Sequence, residues 1–339
     1  MRTLITGASG LLGGHLITAL RQRGDDIHAL ALVDEDTSHL EARNVTIHRG
    51  DVRQPETLAP AMRDVDLVFH LAGMMGFWLP IEDYRAVNVT GTENVCRAAL
   101  AAGVRRLVHI SSWTVYGMNI GQPAREDFPL QPFYEPYAVT KTEGDKLVQR
   151  LIAQEGLPAV IIRPGTFFGP GDRLHFGRMA DRVVKGTGIV VGRGDNALPF
   201  VYVTDVVQGL MLASERPEAV GRAFNITNDH PITQEQMLRA IAEELGAQPP
   251  RIHVPYSALY AASWAAERVE AIVKTGKQPI VTRLGVKLFG TDNRHSIQAA
   301  RDIIGYAPRT PLREGVRQAA AWYQEHHRAV AQPAHVAIS

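Results

Sequence analysis

The chain of 339 residues carries 36 Lys and Arg against 35 Asp and Glu, a formal charge of +1, and 45% of its residues are apolar. That balance excludes a disordered chain and the broad basic surface that nucleic acid requires. The lone cysteine, Cys96, excludes a disulfide framework and agrees with a reducing compartment.

At roughly 150 residues per domain, the length predicts about two units. Residues 2–6 run straight into a glycine-rich turn, leaving no room for a secretory signal, so a cytoplasmic location is expected. No stretch reaches the ~20 uncharged apolar residues that span a bilayer. The best candidate, 255–273, is interrupted by Glu267, Arg268 and Glu270. Short β-branched runs predict strands at 2–6, 27–33, 45–48, 66–71, 106–111 and 159–163. Apolar spacings of three and four predict helices at 12–23, 55–63, 84–102 and 137–155 between them. Such alternation predicts an α/β fold, a Rossmann-type doubly wound parallel sheet. Past Arg163-Pro164, Gly and Pro cluster at 164–172 and 186–199, and helical pieces follow at 204–213, 233–245, 256–273 and 313–327. Residues 1–163 are thus expected to bind the dinucleotide, with later strands near 200–204 open to joining the sheet. Residues 164–327 are expected to form a smaller, mostly helical substrate lobe, and 328–339 to fray.

Thr6-Gly7-Ala8-Ser9-Gly10-Leu11-Leu12-Gly13 lies between a predicted strand and a predicted helix. Gly7, Gly10 and Gly13 allow positive φ and close backbone approach, and the helix N-terminus at Ser9, Leu11 and Leu12 aims backbone N–H groups at a pyrophosphate. This predicts NAD(P). No arginine ends the second strand, and Asp34, Glu35 and Asp36 would repel a 2′-phosphate, so NAD is favoured, with Asp34 on the ribose. After the third strand, Asp51 and Val52 are placed to meet the adenine.

Tyr137 and Lys141 are four apart and share one helix face. A phenol with a pKa near ~10 needs a nearby cation to work as an acid/base at neutral pH. Ser111 and Ser112 end a predicted strand at the edge where parallel sheets bind ligands. Separated from Tyr137 by 25 positions, Ser112 is the preferred partner, with Ser111 a buried hydroxyl.

In order, the Gly7/Gly10/Gly13 turn, His70-Leu71-Ala72-Gly73, Asn88-Val89-Thr90-Gly91-Thr92, Ser112, Tyr137/Lys141, Arg163-Pro164 and Val201-Tyr202-Val203-Thr204-Asp205 resemble the extended short-chain dehydrogenase/reductase family over about residues 1–325. The resemblance implies Tyr137 as general acid/base, Ser112 on the substrate oxygen, and Lys141 on the nicotinamide ribose, lowering the tyrosine pKa. It implies Asn88 in an architectural or relay role. Leu71, Ala72 and Gly73 would pass the cofactor backbone, and Pro164, Gly165 and Thr166 would lie beside the carboxamide. It further implies a homodimer through helices 84–102 and 137–155.

Nucleotide-sugar members resemble one another in an Arg-Asp pair where this chain has Leu198-Pro199, an asparagine where it has Thr166, and, in dehydratases, acids where it has Trp113 and Thr114. A diphosphate needs donors that leucine lacks. Met74, Met75, Phe77, Trp78, Phe167 and Phe168 supply apolar surface instead, and together with Trp113, Thr114 and His175 they are the expected substrate pocket. Residues 256–273 could line that pocket, touch a membrane surface or be core. Thr282 to Tyr306 is similar to the 3β-hydroxysteroid dehydrogenase-like branch. The reading is therefore an NAD(P)-dependent oxidoreductase of apolar secondary alcohols or ketones. A nucleotide-sugar epimerase or dehydratase is the alternative, and a non-catalytic dinucleotide sensor a further one. The thirteen histidines show no metal-binding spacing, so no metal is expected.

Overall fold

Strands rich in Val, Ile and Leu with helices between them bury both faces of a parallel sheet. The computed structural model describes residues 1–75, 79–273 and 281–331. Its strands are β1 (Arg2–Thr6), β2 (Asp26–Ala31), β3 (Thr46–Arg49), β4 (Leu67–His70), β5 (Arg106–Ile110), β6 (Ala159–Pro164), β7 (Thr166–Phe168), β8 (Val190–Val191), β9 (Ala197–Leu198), β10 (Phe200–Tyr202), β11 (Ala223–Ile226), β12 (Ile232–Thr233) and β13 (His253–Val254). Its α-helices are α1 (Leu11–Arg23), α2 (Ser38–Glu41), α3 (Leu58–Ala61), α4 (Ile81–Arg85), α5 (Thr92–Ala101), α6 (Pro136–Glu155), α7 (Phe176–Val184), α8 (Val203–Glu215), α9 (Gln234–Leu245), α10 (Tyr256–Val273), α11 (Arg283–Gly290) and α12 (Leu312–Ala331).

Seven parallel strands form the main sheet in the order β11-β6-β5-β4-β1-β2-β3. The chain runs outward from β1 to β3 and then returns to place β4 on the other side of β1. That reversal opens a crevice beyond the carboxyl ends of β1 and β4, where Thr6 is in register with His70. One core face is filled from α1, α8 and the later chain by Leu16, Ile17, Val206 and Leu210 against Phe69, Val108 and Ile162. The opposite face is filled from α5 and α6 by Val95, Leu147 and Val148 against Val68, Leu107 and Ile161.

Four differences from the sequence reading have local causes. The late strand that joins the sheet is β11, with Phe224 opposite Ile162, not the 200–204 segment. β10 instead pairs with β7 as a separate parallel pair, anchored where Thr166 N donates to Pro199 O at 2.7 Å. The expected helix 84–102 is α4, a π-helical turn at Ala86–Gly91 and then α5, one continuous helical run that starts at Ile81. The expected helix 55–63 is a 3₁₀ turn at Pro55–Thr57 followed by α3. Finally, α12 continues to Ala331, so 328–331 are helical rather than part of a tail.

Candidate active site

The turn after β1 is shaped by two glycines. Gly7 has φ +73°, and a side chain there would meet Ala72 N at 2.8 Å, so the turn lies directly on the loop after β4. A side chain on Gly13 would collide with the carbonyl oxygens of Gly7 and Ala8. The first backbone bond of α1 runs from Gly14 N to Gly10 O at 2.9 Å, so the amides of Leu11, Leu12 and Gly13 have no intrahelical acceptor. No side chain caps the helix and its first turn holds no acid. An uncapped N-terminus on a glycine turn fits the pyrophosphate of a dinucleotide. Residues 169–175 close the other side, with His15 Nε2 at 2.9 Å from Pro170 O.

Beneath this turn runs a buried chain of hydrogen bonds. Ala72 N donates to Thr6 Oγ1 (3.2 Å), Thr6 Oγ1 lies 2.8 Å from His70 Nδ1, His70 Nε2 lies 3.0 Å from Thr92 Oγ1, and Thr92 donates to Asn88 O (2.8 Å). Burial pushes the His70 imidazole down to about 3, with the Lys141 charge acting in the same direction, so the ring is neutral. The directions of the outer bonds then leave one consistent tautomer, in which Nδ1 accepts and Nε2 donates. The buried His109 ring stacks on His70 with centroids 5.4 Å apart. Asn88, in the π-helical turn, clamps the loop: Oδ1 accepts from Met74 N (2.8 Å) while Nδ2 donates to Met74 O (3.1 Å) and Thr140 Oγ1 (3.0 Å).

Glu135 caps α6 through Ala138 N at 3.0 Å, and Pro136 opens its first turn, which delivers Tyr137 to the carboxyl end of β5. The Ser112 hydroxyl lies near enough to the Tyr137 phenol to lower its pKa. Ser112 Oγ accepts from both Thr114 N (3.2 Å) and Thr114 Oγ1 (2.9 Å). With its lone pairs so engaged, its proton is left to donate toward the phenol. Burial pushes the Tyr137 phenol up to about 12, with Ser112 opposing and the Glu135 carboxylate adding to the rise. Lys141, one helical turn beyond Tyr137, is engaged by a strand carbonyl. Its Nζ donates to Ile110 O at 2.6 Å, and burial holds the ammonium down to about 8 against the pull of Asp145.

One helical turn beyond Lys141, Asp145 forms a buried bidentate pair with Arg163 at 2.9 and 2.8 Å, and also accepts from Ser111 Oγ at 2.5 Å and Gln149 Nε2 at 2.6 Å. Arg163 extends the network to Tyr116 OH (2.8 Å) and Glu126 O (3.1 Å), and Tyr116 donates to Asn225 Oδ1 at 2.8 Å on β11. The register of α6, and with it Tyr137 and Lys141, is thereby tied to β5, β6 and β11.

The remaining sequence candidates divide. Trp113 is buried, its Nε1 donating to Thr166 Oγ1 at 3.1 Å, which fixes the loop after Pro164 and Gly165. Thr114 is buried and faces Ser112 rather than open space. Phe168 is not a pocket residue: it is 1% exposed in the core, stacked on Phe176 and edge-on to Phe200 and Tyr202. Phe167 is only partly buried, and His175 heads α7 with Nδ1 3.8 Å from Asp172. Trp78 and Phe77 lie outside the described residues. Leu198, where sugar-nucleotide enzymes have arginine, is buried in the core, and the Pro199 carbonyl beside it is taken by Thr166 N.

On the adenosine side, β2 ends at Ala31, and Asp34 is exposed in the following turn. Asp51 is bound by Arg53 (Nε at 2.8 Å), which holds its carboxyl below the usual range, while Val52 joins the core and its carbonyl accepts from Asn94 at 2.9 Å. Sequence reasoning missed Arg49, whose guanidinium donates to Leu32 O (2.9 Å) and Glu35 O (2.8 Å) and so shapes the acidic loop. It also missed Asp145 and His15, because pairs so distant in sequence leave no local signal. Among the described residues, no group of three or more His, Cys, Asp or Glu could hold a metal ion, and no helix is long and apolar enough to cross a membrane.

Residues 3–227 match the profile of the NAD dependent epimerase/dehydratase family. The chain is 30% identical to the 2-alkyl-3-oxoalkanoate reductase of Stenotrophomonas maltophilia (strain K279a), over 94% of this chain and 98% of that protein. It is also 30% identical to the 3 beta-hydroxysteroid dehydrogenase/Delta 5-->4-isomerase of Mycobacterium tuberculosis (strain ATCC 25618 / H37Rv), over 95% of this chain and 90% of that protein. Among solved structures, it is similar to gox2253, with a TM-score of 0.83 and 32% identity over 96% of this chain and 99% of that one. With the phosphate-binding turn and the Ser112, Tyr137 and Lys141 arrangement in place, these matches identify the chain as a member of the NAD dependent epimerase/dehydratase family, the extended short-chain dehydrogenase/reductases.

Proposed function

We propose that the protein is an NAD-linked oxidoreductase that interconverts a bulky apolar secondary alcohol and its ketone. The observation that carries this reading is the Ser112–Tyr137 pair, with Lys141 on the same helix, at the carboxyl edge of β5. Bound NAD supplies the hydride acceptor, and NADH the donor. Tyr137 Oη takes the hydroxyl proton in oxidation and returns it in reduction. Its high pKa favours the protonated phenol, the form required for reduction. Ser112, whose oxygen Thr114 engages, turns its proton from the phenol to hold the substrate oxygen. Leu11, Leu12 and Gly13 bind the pyrophosphate. Lys141 takes the nicotinamide ribose, for which it turns from Ile110 O. Asp34, in its exposed acidic turn, takes the adenosine ribose and disfavours NADP.

For the substrate class, the support is the apolar Met74 and Phe167 beside the site and the names of the two relatives, which describe a ketone on an alkyl skeleton and a secondary alcohol on a steroid. A sugar-nucleotide substrate is favoured by one feature, a polar cavity of about 480 Å³ lined in part by Arg193 and Arg294. Both arginines are paired with acids, Asp195 at 2.7 Å and Asp292 at 3.2 Å, which leaves little net charge for a diphosphate. The same proposal includes a cytoplasmic homodimer through α5 and α6, which sedimentation equilibrium tests.

Formation or consumption of NADH and NADPH is measured across sterols, aliphatic and aromatic alcohols with their ketones, and UDP- and GDP-sugars. Turnover of an apolar alcohol or ketone is the expected result. Turnover of sugar nucleotides alone overturns the substrate class, and no turnover with any of them favours a sensor.

A further inference from the structure

We propose that Arg49 is a positioning residue for coenzyme choice: from the end of β3 it fixes the turn 32–37 so that Asp34, alone of the three acids there, meets the adenosine ribose. The inference rests on the reading above, in which Asp34 takes that ribose.

The turn has little else to hold it. It carries three acids in succession, Asp34, Glu35 and Asp36, whose charges repel one another. Its apolar residues are not packed down, Leu32 being 49% and Val33 74% exposed. One backbone bond closes it, from Glu35 N to Leu32 O at 3.2 Å. Arg49 supplies the rest. It stands in register with Ala31, the last residue of β2, so the sheet itself sets its reach across the turn. Nη1 donates to Leu32 O (2.9 Å) and Glu35 O (2.8 Å), and Nη2 donates to Thr37 Oγ1 (2.7 Å), whose own proton goes to Glu41 Oε1 (2.7 Å) at the end of α2. A guanidinium suits this task, because its planar fork presents several donors in fixed directions. With both terminal nitrogens engaged, Arg49 serves the backbone of the turn.

Within the turn so held, the three acids have different fates. Glu35 Oε2 accepts from Leu32 N (3.0 Å), and Asp36 Oδ1 accepts from Ser38 N (3.0 Å) at the start of α2. Asp34 is exposed, and among the described residues no hydrogen bond or ion pair engages it. The turn follows the carboxyl end of β2, beside that of β1, where Thr6 is opposite Leu30, so it flanks the phosphate-binding turn. A carboxylate already fixed there costs a ligand little ordering. On a loose turn it is competent only part of the time, and apparent affinity falls by that fraction.

Dissociation constants for NAD, NADP and the NAD analogue built on 2′-deoxyadenosine are measured by equilibrium dialysis. The chains compared are the wild type, Asp34→Asn, Arg49→Gln and the two substitutions combined. The wild type is expected to favour NAD over the other two. Arg49→Gln lowers the preference over the 2′-deoxy analogue on the order of 10-fold, the worth of a charge-assisted hydrogen bond to one hydroxyl. Asp34→Asn does the same, and the combination loses no more than either alone, because Arg49 acts through Asp34. Arg49 is exposed, so circular dichroism is unchanged by its replacement. A merely structural weakening lowers all three affinities together and leaves their ratios unmoved. Unmoved ratios in Arg49→Gln, or losses that add in the combined variant, overturn the proposal. So does a preference for NAD over NADP that grows in Arg49→Gln, which would make Arg49 a phosphate ligand. Ratios unmoved by Asp34→Asn sink the reading of Asp34 and the proposal with it, whereas ratios moved by Asp34→Asn and not by Arg49→Gln sink the role of Arg49 alone.

Discussion

Replacing Arg163 with Met strands a buried charge directly beneath the candidate active site. Methionine has no donor, so Asp145 loses both guanidinium bonds, at 2.9 and 2.8 Å, and keeps Ser111 at 2.5 Å and Gln149 at 2.6 Å. The same change removes the donors to Tyr116 OH and Glu126 O. Breaking a buried pair from one side costs about 3–5 kcal/mol, because the remaining charge is uncompensated. That is a large part of the roughly 5–15 kcal/mol by which domains are stable. Adding Asp145→Leu removes the stranded carboxylate and recovers most of the loss.

The pH dependence has a definite sign. In the wild type, Arg163 and the hydrogen bonds hold the Asp145 carboxyl below its ordinary value against burial, so its contribution is full above that value and is lost as pH falls through the lowered one. In Arg163→Met, burial acts with little opposition and raises the pKa, so the single variant's deficit narrows as pH falls. Urea unfolding followed by tryptophan fluorescence at about pH 7.5 and about pH 5 measures both effects. A loss below about 1 kcal/mol, or a double variant no more stable than the single one, would refute the reasoning.

Other predictions concern the site itself. Thr114→Val removes the hydroxyl that donates to Ser112 Oγ at 2.9 Å, so kcat should fall on the order of 10-fold with NAD affinity unchanged, as measured by steady-state kinetics and cofactor fluorescence. Burial lowers the Lys141 ammonium to about 8 from 10.5, so the native chain binds fewer protons than the unfolded chain between those values. Stability from this group therefore rises with pH across that window, and Lys141→Met flattens the corresponding urea-midpoint profile. Gly13→Ala presses a methyl group onto the Gly7 and Ala8 carbonyls, and equilibrium dialysis should show NAD affinity lowered at least about 10-fold.

Much of this architecture is legible in the residues. The strands near 2–6, 27–33, 45–48, 66–71, 106–111 and 159–163 fall within a few residues of β1 to β6, because buried parallel strands leave uninterrupted apolar runs between punctuated helices. β11 escaped notice because four residues, Ala-Phe-Asn-Ile, carry no period and their partner lies some 60 positions earlier. Phe168 looked like a pocket residue because it follows the Pro164-Gly165-Thr166 loop at the end of β6. Only the β7–β10 pairing turns it into the core. Arg163 stood out as an Arg-Pro motif, yet its partner Asp145 sits on a helix whose spacing alone suggests a solvent-facing acid. α10 is the sharpest case: periodicity reveals an apolar stripe without saying whether protein covers it.

The most direct measurement is turnover by Tyr137→Phe, with NADH formation followed on an apolar alcohol accepted by the wild type and NAD binding measured in parallel. The variant is predicted to bind NAD as the wild type does and to lose nearly all hydride transfer, since the ring remains and only the proton-carrying oxygen is gone. Full activity in Tyr137→Phe would contradict the assignment of Tyr137 as the acid/base.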